Sequence, residues 1–133
     1  MTPVQKLKQI ILQSAINLGD IPKTVVVAPE NVDSLYEEHY DATQDARQEI
    51  RYGECKTTLS TQYNSELRGA HRNYECDEVA MQCDDGTWIG WTYWHGGGKH
   101  SEPTAIPWVE YAYALECKEE EKMVIVRSFT KPA

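Results

Sequence analysis

The segment His95-Gly96-Gly97-Gly98-Lys99-His100 is the most specific local feature of this 133-residue chain. Three consecutive glycines forfeit backbone entropy, up to ~1 kcal/mol per residue relative to alanine in ordered structure. Such a cost is kept where the backbone takes positive φ or approaches something closely. Successive glycine N–H groups can converge on an anion, and Lys99 and His100 would add donors and positive charge. Trp91, Tyr93, Trp94 and Trp108 flank the loop and would wall a pocket. The candidate ligand-binding set is therefore Trp91, Trp94, His95, Gly96, Gly97, Gly98, Lys99, His100 and Trp108. The Gly-x-x-x-x-Gly-Lys-[Ser/Thr] spacing of a nucleotide P-loop is absent, and no cofactor is expected. A flexible turn between two strands, with nothing packed on the glycines, is the plainer reading of the same residues.

A second feature is a row of carboxylates. Glu37, Asp41, Asp45 and Glu49 recur every four residues within a segment that reads as helical. On one continuous helix they would form a ridge about 18 Å long, at ~1.5 Å rise per residue. Like charges at this spacing cost a few tenths of a kcal/mol each. Arg47 and Arg51 lie off the row but could relieve part of the repulsion. The ridge would suit a cationic protein groove, or imitate a row of phosphates; a solvated helix face in an acidic protein is the alternative.

Other chemistry finds less support. Structural zinc sites show two close Cys or His pairs. Here Cys76 and Cys83 are seven apart on opposite faces of one expected strand, Cys55 and Cys117 stand alone, and no metal is expected. Nucleophilic catalysis wants Cys or Ser beside an oriented histidine. Cys76 or Cys83 with His71 supplies the types, but nothing in the order of residues joins them. Glu75, Asp77 and Glu78 would also raise the thiol pKa of Cys76. Asp77 and Glu110 could share acid–base work only by facing one cavity.

The formal charge is −8, from 21 acidic and 13 basic side chains. Nucleic-acid binding draws on basic side chains that displace counterions, so a direct nucleic-acid ligand is not expected and a basic partner protein is. No apolar run approaches the roughly 18 residues of a membrane span. Residues 1–6 lack the features of a secretory signal, so the cytoplasm is the expected address, with reduced cysteines. Four tryptophans and eight tyrosines against one phenylalanine favour surfaces that are half wet.

These groups must be positioned by one α+β domain spanning residues 1–133. Thr2, Pro3 and Gln5 form a helix start with a capping box. Val4, Leu7, Ile11, Ala15 and Leu18 then recur at helical spacing up to Gly19. Thr24–Val27 is a brief strand or an extended connector. A second helix opens at Pro29-Glu30-Asn31 and runs to about Ile50, with Val32, Leu35, Tyr36, His39, Thr43, Ala46 and Ile50 facing inward.

Beyond Glu54 the composition turns to strand formers. Strands are expected at Lys56–Tyr63, Tyr74–Cys83, Thr87–Trp94 and Met123–Thr130, with Asn64–Asn73 a loop and Lys118–Lys122 a charged turn. A three-residue loop at Asp84-Asp85-Gly86 sets Met81 opposite Ile89 and Val79 opposite Trp91, collecting the apolar side chains on one face, with Gly86 left-handed. Trp88 and Trp94 then take the other face. Residues 108–117 alternate as a strand would, although Trp108, Tyr111, Ala112 and Leu115 also share a helical face; the alternation favours the strand.

Two N-terminal helices packed on a four- to five-stranded, mainly antiparallel sheet result. The order of elements is similar to that of cystatin-like and NTF2-like sheets, an architectural likeness that implies no activity. Three readings of function follow. One is an acidic interaction module, in its sharper form an inhibitor that docks on a basic or nucleic-acid-handling protein. The second is a small-ligand-binding or enzymatic domain with its pocket under residues 95–108. The third is a self-associating subunit using Trp88, Trp94 and Tyr113.

Overall fold

Thr2 starts the first element as its residue type requires. In the computed structural model, which describes residues 1–59, 75–95 and 107–132, helix α1 spans Pro3–Leu18. The Gln5 backbone N–H donates to Thr2 Oγ1 at 3.2 Å, and the Thr2 N–H donates to Gln5 Oε1 at 2.9 Å. Gly19 closes the helix at φ 84°, a left-handed conformation that glycine adopts without a Cβ penalty. Leu7, Ile11, Leu12, Ala15 and Ile16 are buried, whereas Leu18, expected on the inner stripe, is exposed. Each fully buried Leu or Ile side chain stabilises the fold by about 1.5–3 kcal/mol, so α1 is the centre of the core.

The expected second helix is not continuous. It divides into α2 (Val32–Glu38), a 3-10 turn (Tyr40–Thr43) and α3 (Gln44–Ile50). Local hydrogen bonding explains the break. Thr43 Oγ1 donates to the Tyr40 carbonyl at 2.6 Å, and Arg47 Nη2 donates to the same oxygen at 3.3 Å. These side chains occupy an acceptor that a continuing helix would use, and the Gln44 N–H bonds to Asp41 instead. Both α2 and α3 consequently pack on α1. The inward stripe survives the break, with Val32, Tyr36, Thr43, Ala46 and Ile50 buried. Residues 24–27 form no strand: Thr24 lies in a turn closed by the Val25 N–H on the Pro22 carbonyl at 3.1 Å, and the connector that follows lays Val25 and Val27 against the core and leaves Val26 exposed.

The sheet runs β1 (Cys55–Lys56), β2 (Glu75–Gln82), β3 (Trp88–His95) and β4 (Tyr113–Leu115), in that order, with every neighbouring pair antiparallel. The β2–β3 register sets Met81 opposite Ile89 and Val79 opposite Trp91, as the apolar sorting requires, with Gly86 at φ 87°. Val79, Ile89 and Trp91 meet the helices. Trp91 Nε1 donates to the Arg51 carbonyl at the end of α3, at 2.9 Å, which ties the helical layer to the sheet. Gly53, at φ 66°, passes so close to β2 that a Cβ there would lie 2.9 Å from Val79 Cβ. Lys6 reaches the β2–β3 turn, bonding Thr87 Oγ1 at 2.8 Å and Asp85 at 3.3 Å.

The α+β class therefore holds, with three helices and four antiparallel strands among the described residues. Three expected strands differ. Of the first, Lys56 pairs as part of β1 and the Thr57 N–H donates to the Glu78 carbonyl at 2.9 Å; its stretch beyond residue 59 and the loop at 64–73 lie outside the described residues. The 108–117 segment divides into a 3-10 turn (Val109–Tyr111) and the short strand β4. Residues 118–130, expected as a charged turn and a strand, run extended and exposed, paired with nothing among the described residues. No helix among the described residues is long and apolar enough to cross a membrane.

Candidate functional site

The face of the sheet turned away from the helices carries a buried carboxyl group. Glu78 on β2 lies directly opposite Thr92 on β3, both almost fully buried. Tyr113 on β4 sits opposite Gly90, where the missing side chain leaves room for its ring: a Cβ on Gly90 would come within 2.8 Å of Tyr113 Cε2. From there the Tyr113 hydroxyl donates to Glu78 Oε1 at 2.9 Å, and Thr92 Oγ1 donates to the same oxygen at 3.1 Å. Glu78 Oε2, equally buried, has no hydrogen-bond partner among the described residues. A buried polar oxygen left unpaired costs about 1–3 kcal/mol. Chemically it is the free position of the cluster, able to accept from an N–H or O–H group. Cys76 and Trp94 lie on the same face.

On the helix-facing side, the end of the sheet holds a different cluster. His95 Nε2 lies 2.9 Å from Asp77 Oδ2, and His95 Nδ1 lies 3.6 Å from Glu75 Oε2. Lys56 meets Asp77 at 3.5 Å, and the Tyr93 ring stacks on the imidazole with centroids 5.1 Å apart. Arg51 covers Tyr52 and Tyr93. Its hydrogen bond pulls the Tyr52 phenol below its ordinary pKa, while burial pushes Tyr93 up. A histidine between two carboxylates can be oriented for proton transfer, but no Ser, Thr or Cys is bonded to it among the described residues.

The described members of the expected ligand-binding set, Trp91, Trp94, His95 and Trp108, do not all share one surface. Trp91 is fully buried in the core and packs on half-buried Trp108, ring centroids 5.7 Å apart. Trp94 is buried on the opposite face of the sheet from Trp91 and His95, because neighbouring residues of a strand alternate. Gly96, Gly97, Gly98, Lys99 and His100 lie outside the described residues. The suggested carboxylate pair is engaged elsewhere, Asp77 with His95 and Lys56, and Glu110 with Lys8 at 3.2 Å. None of the four cysteines forms a disulfide, and burial raises the Cys83 thiol pKa. No cluster of three metal-ligating side chains occurs among the described residues.

No family model, curated protein or solved structure matches the chain. Its function must therefore be argued from its own surfaces.

The acidic row lies on the outside of the helical layer. Glu37, Asp41, Asp45 and Glu49 are all exposed, and none forms an ion pair among the described residues. The break between α2 and α3 distributes them over three elements, which corrects the single 18 Å ridge. Glu37 borders a groove with Asp33, Tyr36, Tyr40 and Glu110; Asp45 and Glu49 border another with Asp20 and Leu18. Arg47 and Arg51 do not neutralise them. Arg47 stacks on Tyr40 at 4.1 Å and bonds Thr43, and Arg51 covers Tyr52. In the first groove Lys8 is shared between Asp33 and Glu110. The Gln5 amide, with help from Lys8, holds the Asp33 carboxyl below its ordinary pKa. Burial pushes the Tyr36 phenol up to about 12, so it stays neutral.

The Glu78 cluster escaped sequence reasoning although one clue to it was present. The three-residue loop that sets Val79 opposite Trp91 also sets Glu78 opposite Thr92. A carboxylate one residue from two core positions, facing a hydroxyl, is a candidate buried pair. Tyr113 had no such clue, since its place beside Gly90 depends on pairing across 23 residues of chain.

Proposed function

We propose that this chain is an acidic docking module whose helical layer binds a basic partner protein through Glu37, Asp41, Asp45 and Glu49. The observation that carries the reading is that these four exposed carboxylates form no ion pair among the described residues, beside two arginines that stack on tyrosine rings. A protein that merely needed solubility gains nothing from holding its nearest cations away from a local excess of negative charge. A cationic partner would relieve that repulsion, and long-range attraction would speed its approach. In the sharper form, the same carboxylates occupy a phosphate-binding surface and inhibit a nucleic-acid-handling protein. A cytoplasmic address is part of the same proposal.

The test is a low-salt pull-down from native lysate, eluted by a salt gradient, with three baits: the natural sequence, a Glu37→Lys/Asp41→Lys/Asp45→Lys variant, and a Glu119→Lys/Glu120→Lys/Glu121→Lys variant with the same change in net charge. Partners held by the first and third baits and lost from the second support the surface. Equal retention by all three, or equal loss from both variants, refutes it.

A second reading rests on the buried Oε2 of Glu78, which has no hydrogen-bond partner among the described residues. It treats the outer sheet face as a small-ligand or catalytic site, with Glu78 accepting a ligand N–H or O–H. Quenching of tryptophan fluorescence by members of a metabolite library, lost in Glu78→Gln, would favour it over the docking reading.

A further inference from the structure

Five apolar side chains between residues 123 and 129 face solvent almost without cover. Met123, Val124, Ile125, Val126 and Phe129 are between 78% and 103% exposed. The continuous apolar run Met123–Val126, followed after Arg127 and Ser128 by Phe129, has the composition of a largely buried strand, not of a solvated tail. We propose that Met123–Thr130 is a strand arm exchanged between two copies of this chain, each arm pairing with the outer edge of β4, from Ala114 onward, in the other copy.

Three observations identify the occupant as a second copy. The first is charge. Residues 122–133 contain Lys122, Arg127 and Lys131 and no acidic side chain, so residues 1–121 carry a formal −11 against −8 for the whole chain. The arm is cationic and the body that would receive it is strongly anionic. The second is the receiving edge. Among the described residues β4 pairs only with β3, leaving its other side open, and half-buried Leu115 at its end borders a groove with Glu116 and Glu119. A strand laid along that edge extends the apolar strip and brings its basic residues to acidic ones.

The third is the connector. Glu116-Cys117-Lys118-Glu119-Glu120-Glu121-Lys122 holds no Gly, Pro, Asn, Asp or Ser, the residues that build tight turns. Three successive glutamates repel and favour an extended chain. The β2–β3 hairpin, by contrast, uses Asp84-Asp85-Gly86. A connector that does not reverse direction directs the arm away from its own β4. Extended, its seven residues reach about 23 Å at ~3.3 Å per residue, enough to cross to a neighbour. Reciprocal exchange about a two-fold axis satisfies both edges and closes the assembly at a dimer.

The experiment combines sedimentation with amide hydrogen exchange on the full chain over about a hundredfold range of concentration. Ile125→Pro serves as the variant, because proline removes an N–H from any ladder the arm joins. Ile125 is 82% exposed, so the fold should persist, checked by tryptophan emission. Expected are a dimer whose dissociation constant rises at least tenfold in Ile125→Pro, and exchange protection of Met123–Thr130 that grows with concentration. A chain monomeric throughout overturns the proposal. So does protection independent of concentration, the mark of a hairpin within one copy, and so does a dimer indifferent to Ile125→Pro.

Discussion

Replacing Tyr113 with phenylalanine deletes the hydroxyl that donates to Glu78 Oε1 at 2.9 Å and keeps the ring beside Gly90. Glu78 is 3% exposed, so water does not readily replace the lost donor. Its other oxygen already lacks a partner among the described residues, which leaves Thr92 as the remaining donor to the carboxyl. A hydrogen bond to a buried carboxyl group contributes about 1.5–3 kcal/mol, so Tyr113→Phe should cost about 2 kcal/mol. For a chain of this length that corresponds to a fall in Tm of roughly 8 °C.

Urea denaturation followed by tryptophan emission measures the loss directly. Thr92→Val supplies the second arm of a double-mutant cycle. With both donors gone the carboxyl is stripped of partners, and the double variant should lose about 1 kcal/mol more than the sum of the singles. Gly90→Ala perturbs the same bond by sterics, since its Cβ would stand 2.7 Å from Leu115 Cδ1 and 2.8 Å from Tyr113 Cε2. Its effect should therefore overlap with that of Tyr113→Phe rather than add to it. A Tyr113→Phe variant within about 0.5 kcal/mol of the natural sequence would refute the claim that this cluster is sealed from water.

Gly53→Ala should destabilise by about 1–3 kcal/mol in the same urea assay, because a side chain at φ 66° is strained and its Cβ would meet Val79 and the Ala80 carbonyl at 2.9–3.0 Å; an unchanged midpoint would count against the observed closeness of the α3–β1 connection to β2. Asp85 has its pKa lowered to about 2 by hydrogen bonds from the Thr87 side chain and backbone, then by Lys6. A depressed folded value stabilises the fold above the ordinary carboxyl pKa and loses that contribution as the pH falls from about 4 toward 2. Asp85→Asn should flatten the acid limb of a thermal-stability profile over that window, and an identical limb would argue against the assignment.

What could be read from residue order was local or periodic. The capping box at Thr2 and the stop at Gly19 define α1 because both act within four residues. The hairpin register follows from a single requirement, that Val79, Met81, Ile89 and Trp91 share a face. The break at Tyr40–Thr43 was not legible, since a helical stripe survives it intact; the turn depends on where Thr43 and Arg47 place their donors. The grouping of Trp91 with Trp94 is limited by the alternation of the strand, which sets them on opposite faces, and the glycine-rich stretch at 96–100 lies outside the described residues. Residues 123–130 have strand composition, but propensity supplies no partner, and the described residues provide none within the chain. The Asp77–Glu110 pair dissolved because His95 and Lys8 are nearer to each.

The indole of Trp91 holds the last turn of α3 from across the molecule, donating to a carbonyl 40 residues earlier in the chain. Helix ends leave carbonyls unsatisfied, and this one is completed only once the third strand is in place. The helical half is thus an unfinished structure by itself, with an open acceptor and an exposed apolar flank. Melting followed by far-ultraviolet dichroism and by tryptophan emission should trace a single coincident transition, because neither layer persists after the other has gone.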